Sequence, residues 1–336
     1  MCCNPLRPKI DVTAIGNAIV DVISVTDDAF LDREGIKKGS MNLIEGARAN
    51  QLYNKMTSPV TACGGSAANT VVGLSDLGAG TAFIGKVKND EAGLIFQQGM
   101  VDNGIIYKTV PSNDPAETAR CLVFVTPDAQ RSMNTHLGAS INLSESDIEA
   151  DLVVHSRVLY LEGYLWDPPG AKAAFLKAIT LAKNARTKVA LSLSDAFCVK
   201  RHRPEFRDLV ANHVDILFAN EEEIISLYEA PDFDTATTAA RKDCDLLALT
   251  RDARGSVVIR GETVIAIAAE YVPNVVDTTG AGDLYAAGFL YGFISDMNLR
   301  MCGTLGGLAA AQIITHFGAR PEASLKQLIA KVSAGA

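Results

Sequence analysis

The sequence predicts an α/β fold: a central, mostly parallel β-sheet between layers of helix, with a small β-rich lid. Three observations predict it. Short β-branched or Leu-rich runs alternate with helical stretches through most of the 336 residues, the pattern of βαβ units. Two segments, 27–50 and 115–140, break that rhythm. The chain is 48% hydrophobic and 21% charged, which supplies a sizeable core and argues against disorder.

The elements follow in order. "KIDVTAIGNAIVDVI" reads as a strand ending in a turn, "GGSAANTVVGLSDLGA" as a helix opened by glycines and a serine, and "GTAFIGKV" as a second strand. "RVLYLEG", "AAFLKAITLAKNAR", "KVALSLSD", "HVDILFANEEEIISLYE" and "LLALTRDARGSVVI" continue the alternation, and "AGFLYGFI" has helical spacing. Residues 27–50 show no clear alternation. Residues 115–140 read as a hairpin whose two strands flank a "TPDAQ" turn. Both segments are assigned to the lid, and 1–26, 51–114 and 141–336 to the large domain. Ligands are expected at the loops that follow the strands, along the C-terminal edge of the sheet.

Composition narrows the function. A formal net charge of −8 excludes a sequence-independent nucleic-acid surface, which needs clustered Lys and Arg. It leaves room for an anionic ligand held by backbone amides. The seven cysteines form no C-x-x-C and are odd in number, which favours a reducing cytosol over a disulfide framework. Cys2 and Cys3 read as part of a mobile N-terminal tail. No run reaches the ~18 apolar residues of a membrane span and no signal-peptide core is seen, so a cytoplasmic protein is expected. "GTAFIGKV" fits G-x-x-x-x-G-K, but Val87 stands where a phosphate loop needs Ser or Thr for Mg²⁺. No G-x-G-x-x-G, paired-histidine zinc spacing or G-x-S-x-G is complete, so hydride transfer, zinc chemistry and a serine nucleophile lack support.

The chemistry concentrates in "NVVDTTGAGDLYAAGFLYG", residues 274–292. Gly280 and Gly282 permit tight turns and close ligand approach. A helix beginning here would aim unsatisfied N–H groups of the "GAG" stretch (Gly280, Ala281 and Gly282) at an anion. Asp283 falls in the first turn, where it would act either as a capping carboxylate or as a general base.

"DTTGAGDLYAAGF" closely resembles the C-terminal signature of the PfkB, or ribokinase-like, carbohydrate and nucleoside kinase family, roughly D-T-[TV]-G-A-G-D-x-F-x-x-G. Tyr285 replaces the usual Phe. "GGSAAN" resembles the family's N-terminal glycine-rich signature, and "GNAIVD" its first strand and turn. The resemblance spans residues 10–330. It implies a ribokinase-like three-layer α/β/α domain with a small lid, and transfer of a phosphoryl group from ATP to a primary hydroxyl with Mg²⁺.

The resemblance also assigns residues. Asp283 becomes the general base, with Gly280, Ala281 and Gly282 as the anion hole. Asn17, Asp21, Gly64, Gly65 and Asn69 bind the sugar. Arg131 approaches substrate or phosphate from the lid. "NEEE" resembles N-x-x-E, so Asn220 and Glu223 organise Mg²⁺ through water. "LALTRDARGSVV" matches T-x-G-x-x-G at Thr250 and Gly255, with Asp252 in place of the middle Gly, so that turn is expected to differ locally. Thr279, Gly280 and Gly282 also contact ATP. Asp277, with the backbone near Thr279 and the loop 315–320, is the site for K⁺ in members that use one.

"EGYLW", "R-S-M" and "GNAIVD" resemble the adenosine kinase-like branch, which implies a ribonucleoside as substrate. The alternatives are a ribose, fructose or 2-keto-3-deoxygluconate kinase, or a non-catalytic sugar- or nucleotide-binding regulator. The implied partners are small molecules, without nucleic acid or membrane, for a monomer or homodimer.

Overall fold

The computed structural model describes residues 10–128 and 130–334. Cys2, Cys3 and Ala129 of the "TPDAQ" turn lie outside them. The strands are β1 (Val12–Ile15), β2 (Ile19–Val25), β3 (Met41–Leu43), β4 (Val60–Gly64), β5 (Thr81–Ile84), β6 (Ile106–Tyr107) and β7 (Ala119–Val125). They continue as β8 (Arg131–His136), β9 (Val158–Glu162), β10 (Lys188–Ser192), β11 (Ile216–Asn220), β12 (Leu246–Thr250), β13 (Ser256–Arg260) and β14 (Thr263–Ile267).

The large sheet has the order β14-β13-β12-β11-β10-β9-β1-β5-β6. Pairing is parallel from β6 to β12, and antiparallel between β12 and β13 and between β13 and β14. Side chains alternate along these strands between two separate cores. Val12, Ala14, Val158 and Tyr160 enter one core with the helices Ser66–Leu77, Ala281–Ile294 and Leu299–Ile313. Ile15, Leu159 and Leu161 enter the other with Pro169–Ala185, Ala196–His213 and Glu221–Tyr228. The expected three layers result.

β5 is fully buried, which disposes of the phosphate-loop match in "GTAFIGKV"; its Lys86 instead pairs with Asp147 at 2.5 Å. Among the described residues no helix is long and apolar enough to cross a membrane.

The second sheet has the order β3-β8-β7-β2-β4. β7 and β8 form the expected antiparallel hairpin, with Val125 opposite Arg131. The sheet also takes β2 and β4, from segments assigned above to the large domain. The chain turns out of the large sheet at Gly16–Ala18, so "KIDVTAIGNAIVDVI" is two strands; β2 then pairs with β7 and β4. Residues 27–50 are mainly two short helices, Asp28–Glu34 and Gly46–Tyr53, around the three-residue β3. Phe30, Leu31, Ala49 and Leu52 from these helices cover Val22, Leu122 and Phe124 on one face of the sheet. The opposite face carries Asp21, Cys121, Val123 and Arg131, placed side by side by the ladder register.

Candidate active site

Gly280 opens the helix Ala281–Ile294 with φ 80°, the left-handed region. A Cβ there would lie 2.7 Å from Ala319 Cβ, so only glycine fits both the turn and the contact. Ala281 N–H donates to Thr278 O and Leu284 N–H to Gly280 O. The amides of Gly282 and Asp283 have no acceptor among the described residues. Gly282 is exposed, and a Cβ on it would meet nothing within 4 Å. Two amides without acceptors thus lie at the positive end of a helix, a fit for a phosphoryl oxygen.

The half-buried Asp283 is held at both oxygens. Ser66 Oγ donates to Oδ1 at 2.6 Å and Asn69 Nδ2 to Oδ2 at 2.9 Å. Burial pushes its carboxyl above the usual carboxylate range, and these two bonds pull it partly back. Asn69, expected on the sugar, therefore commits an amide N–H to Asp283, and its buried Oδ1 has no partner.

The sugar-side residues gather at the end of β1. Asn17 Nδ2 donates to Glu162 Oε1 at 2.8 Å, and its buried Oδ1 has no partner. Gly65 has φ 95°, and a Cβ on it would lie 2.4 Å from Asn17 O; one on Gly64 would lie 2.5 Å from the Asp21 carboxyl. Both glycines are required for close packing. Asp21 receives no hydrogen bond from the described residues. Burial raises its carboxyl to about 6, opposed by Arg131 and Arg320 and assisted by Asp283 and Asp277.

Arg131 crosses from β8 to the loop that precedes the helix Ala281–Ile294. It donates to Thr279 Oγ1 at 2.8 Å and pairs with Asp277 Oδ2 at 2.7 Å, both side chains largely buried. Its Nε and Nη2 are buried without partners. Asp277 also accepts Thr279 N–H (3.0 Å), Thr279 Oγ1–H (2.7 Å) and Gly318 N–H (2.8 Å). Three hydrogen bonds and one ion pair thus hold this carboxylate. Asp277, named above for K⁺, is tied to the backbone of Thr279 and Gly318, and no step below uses that ion.

Asn220 caps the helix Glu221–Tyr228 in a reciprocal box with Glu223. Asn220 Oδ1 accepts Glu223 N–H at 2.8 Å, while the Glu223 oxygens accept Asn220 N–H (3.0 Å) and Nδ2–H (2.8 Å). Burial pushes Glu223 up to about 7. Each carboxylate oxygen keeps a lone pair for water, which fits an ion held mainly by phosphates and water. Among the described residues no three His, Cys, Asp or Glu side chains form a direct metal cage.

Thr250 lies beside Asn220 in the β11–β12 register. Gly255 has φ 83°, and a Cβ on it would lie 2.1 Å from Ile267 O. Asp252 adopts φ 49°, so it occupies the left-handed region that glycine enters freely and Asp tolerates.

Sequence reasoning missed three contributors. Glu162 and Ser66 sit inside quoted motifs but had no stated role. Arg320, in the loop 315–320, supplies a second cation near Asp21.

A mostly parallel α/β sheet whose C-terminal edge gathers a buried carboxylate, a helix N-terminus with free amides and several polar side chains has the parts that phosphoryl transfer requires. The chain belongs to the pfkB family of carbohydrate kinases, whose description matches residues 10–326. It is similar to a crystal structure of a probable sugar kinase from Rhizobium etli CFN 42, 44% identical, with a TM-score of 0.91 over 97% of this chain and 99% of that one. It is also similar to the adenosine kinase from Sinorhizobium meliloti, 48% identical, with a TM-score of 0.90 over 96% and 99%. A curated relative, the 5-dehydro-2-deoxygluconokinase of Geobacillus kaustophilus, is 27% identical over 80% of this chain and 84% of its own length. The protein is an ATP-dependent phosphotransferase acting on a hydroxyl, a sugar or nucleoside kinase.

Proposed function

We propose that the protein phosphorylates the 5′-hydroxyl of a ribonucleoside, with adenosine as the best-supported substrate. The observation that carries this reading is the lid face beside Asp21. Cys121, Val123 and Val125 cluster there with Ile19, Ile23 and Met133. Asp21 is paired with Cys121, and Ile23 with Val123, in the ladder. A free sugar offers hydroxyls on all sides, whereas a nucleoside offers a diol at one end and a flat base at the other. A carboxylate adjoining an apolar surface suits the second shape. The 48% identical relative named as an adenosine kinase supports the same choice.

In this reading Asp21 and Asn17 accept hydrogen bonds from the ribose diol. Asp283 takes the proton of the attacking hydroxyl, while Ser66 and Asn69 hold its carboxylate in place. The Gly282 and Asp283 amides receive the phosphoryl oxygens. Arg131 ties the lid to the anion-hole loop and places its unpartnered guanidinium nitrogens beside it, where they would meet developing negative charge and help exclude water. Thr250, Gly255 and Thr279 line the nucleotide side. Mg²⁺, carried with the phosphates and facing Asn220 and Glu223 through water, would neutralise charge on the transferring group.

A sugar kinase is the second reading, supported by the curated 5-dehydro-2-deoxygluconokinases among the relatives. ADP release measured with adenosine, inosine, guanosine, ribose, fructose, 2-keto-3-deoxygluconate and 5-dehydro-2-deoxygluconate decides between them. Adenosine is expected to give the highest kcat/KM. Turnover of a free sugar with none of adenosine would overturn the nucleoside reading.

A further inference from the structure

Two buried asparagines of the candidate site, Asn17 and Asn69, share one arrangement. Each spends its amide NH₂ on a carboxylate and leaves Oδ1 buried and unpartnered. Asn69 donates to Asp283 at 2.9 Å, and Asn17 donates to Glu162 at 2.8 Å. Buried carbonyl oxygens without partners are uncommon and call for a donor. A polyhydroxylated ligand supplies such donors. Asp283 is accounted for as the base; Glu162 so far has no task.

Glu162 is 1% exposed, at the C-terminal end of β9. Besides Asn17 Nδ2, its Oε1 accepts Asn17 N–H at 3.3 Å, and its Oε2 accepts Ala67 N–H at 2.8 Å. A Cβ on Gly16 would lie 2.4 Å from Oε2, so the chain passes against the carboxylate without a side chain between. All three partners are donors. An ionised carboxylate is acceptor-only and satisfies them together. It thereby fixes which way the Asn17 amide points, with NH₂ inward and oxygen outward. The Ala67 contact pins the first turn of the helix Ser66–Leu77, and that turn carries Ser66 and Asn69, both bonded to the base.

We infer that Glu162 is a positioning residue of the kinase: through Asn17 it presents a fixed hydrogen-bond acceptor to a substrate hydroxyl, and through Ala67 it anchors the turn that holds Asp283. The inference rests on the kinase reading and on either substrate equally. Burial lifts Glu162 to about 7, against the pull of its three donors and with a contribution from Asp283. The three bonds offset only part of what burial costs the charge.

Glu162→Gln is the informative change. The amide keeps the shape but offers one acceptor oxygen and an NH₂. With the oxygen on Ala67, the Asn17 side chain satisfies the new NH₂ only by flipping, which turns a donor toward the ligand. The test is a cycle of wild type, Glu162→Gln, Asn17→Ala and the double variant, assayed with the substrate that wild type turns over best. Each variant is read for KM, kcat and melting temperature. Glu162→Gln is expected to raise KM about tenfold or more with a smaller fall in kcat, and to add little once Asn17 is Ala.

Additive effects in the double variant, or an unchanged KM in Glu162→Gln, would overturn the inference. Glu162→Asp, which keeps the charge on a shorter stem, runs in the same cycle, so a poorly folded Gln variant does not end the test; coupling to Asn17 supports the inference and additivity overturns it. A wild type that turns over nothing would instead sink the kinase reading.

Discussion

Asp283→Asn separates the chemistry of the site from its architecture. The native carboxylate receives Ser66 Oγ–H at 2.6 Å and Asn69 Nδ2–H at 2.9 Å. An asparagine reproduces both contacts, with its oxygen on the Asn69 NH₂ and its own NH₂ donating to Ser66 Oγ, which serves as donor or acceptor. No buried polar group is orphaned, so the stability change is expected below about 1 kcal/mol. Its sign favours the variant at neutral pH, because burial raises the native carboxyl and ionisation therefore costs stability in the folded state.

Catalysis has no such substitute. An amide does not take up the hydroxyl proton, and general-base loss costs about 10²-fold or more in kcat, or about 2.7 kcal/mol at 1.36 kcal/mol per decade. KM should change little, since the proton moves only on the way to the transition state. The assay is ADP release across substrate concentration, paired with a thermal melt of the same preparation. Near-normal kcat in a folded variant would refute the base assignment. A low kcat accompanied by a large drop in melting temperature would show that the two contacts had not been replaced, and would refute the isosteric argument.

Two further outcomes follow from the geometry. Asp21 (about 6), Glu162 and Glu223 (about 7 each) titrate higher in the fold than in the unfolded chain, so their contribution to stability is full below about pH 4 and lost as pH rises through 6 to 7. The ligand-free protein should accordingly melt higher at about pH 5.5 than at about pH 8.5, and an equal or opposite trend in a pH series of melts would contradict it. Gly280→Ala forces a Cβ into the left-handed region and to 2.7 Å from Ala319, so it should cost about 1–3 kcal/mol and displace the Gly282 and Asp283 amides. A tenfold or greater loss of kcat is expected, and wild-type turnover and melting together would show that the cradle is not built this tightly.

The contiguous parts of the site were legible in the sequence. "DTTGAGD" joins its turn glycine, free amides and carboxylate in seven residues, and local rules of helix termini act over that distance. "NEEE" likewise encodes its own capping box between Asn220 and Glu223. The alternation of strands and helices gave the three layers because side-chain period is a local property. The lid was legible only in part. The hairpin of β7 and β8 is local, but the departure of β2 from the large sheet depends on partners in β7 and β4 that no periodicity reports.

The sequence by itself determined the fold class, the glycine turn that opens the helix Ala281–Ile294 and the carboxylate beside it, because each is written in neighbouring residues. Only the tertiary structure decided how those groups are held. Glu162 meets Asn17 across 145 residues and Ala67 across 95, and Arg131 reaches Thr279 across 148. It also tied Asp277 to Thr279, Gly318 and Arg131 at once. Such contacts follow from which strand ends converge at one edge of the sheet, and burial there sets both the pairing and the proton affinity of each carboxylate.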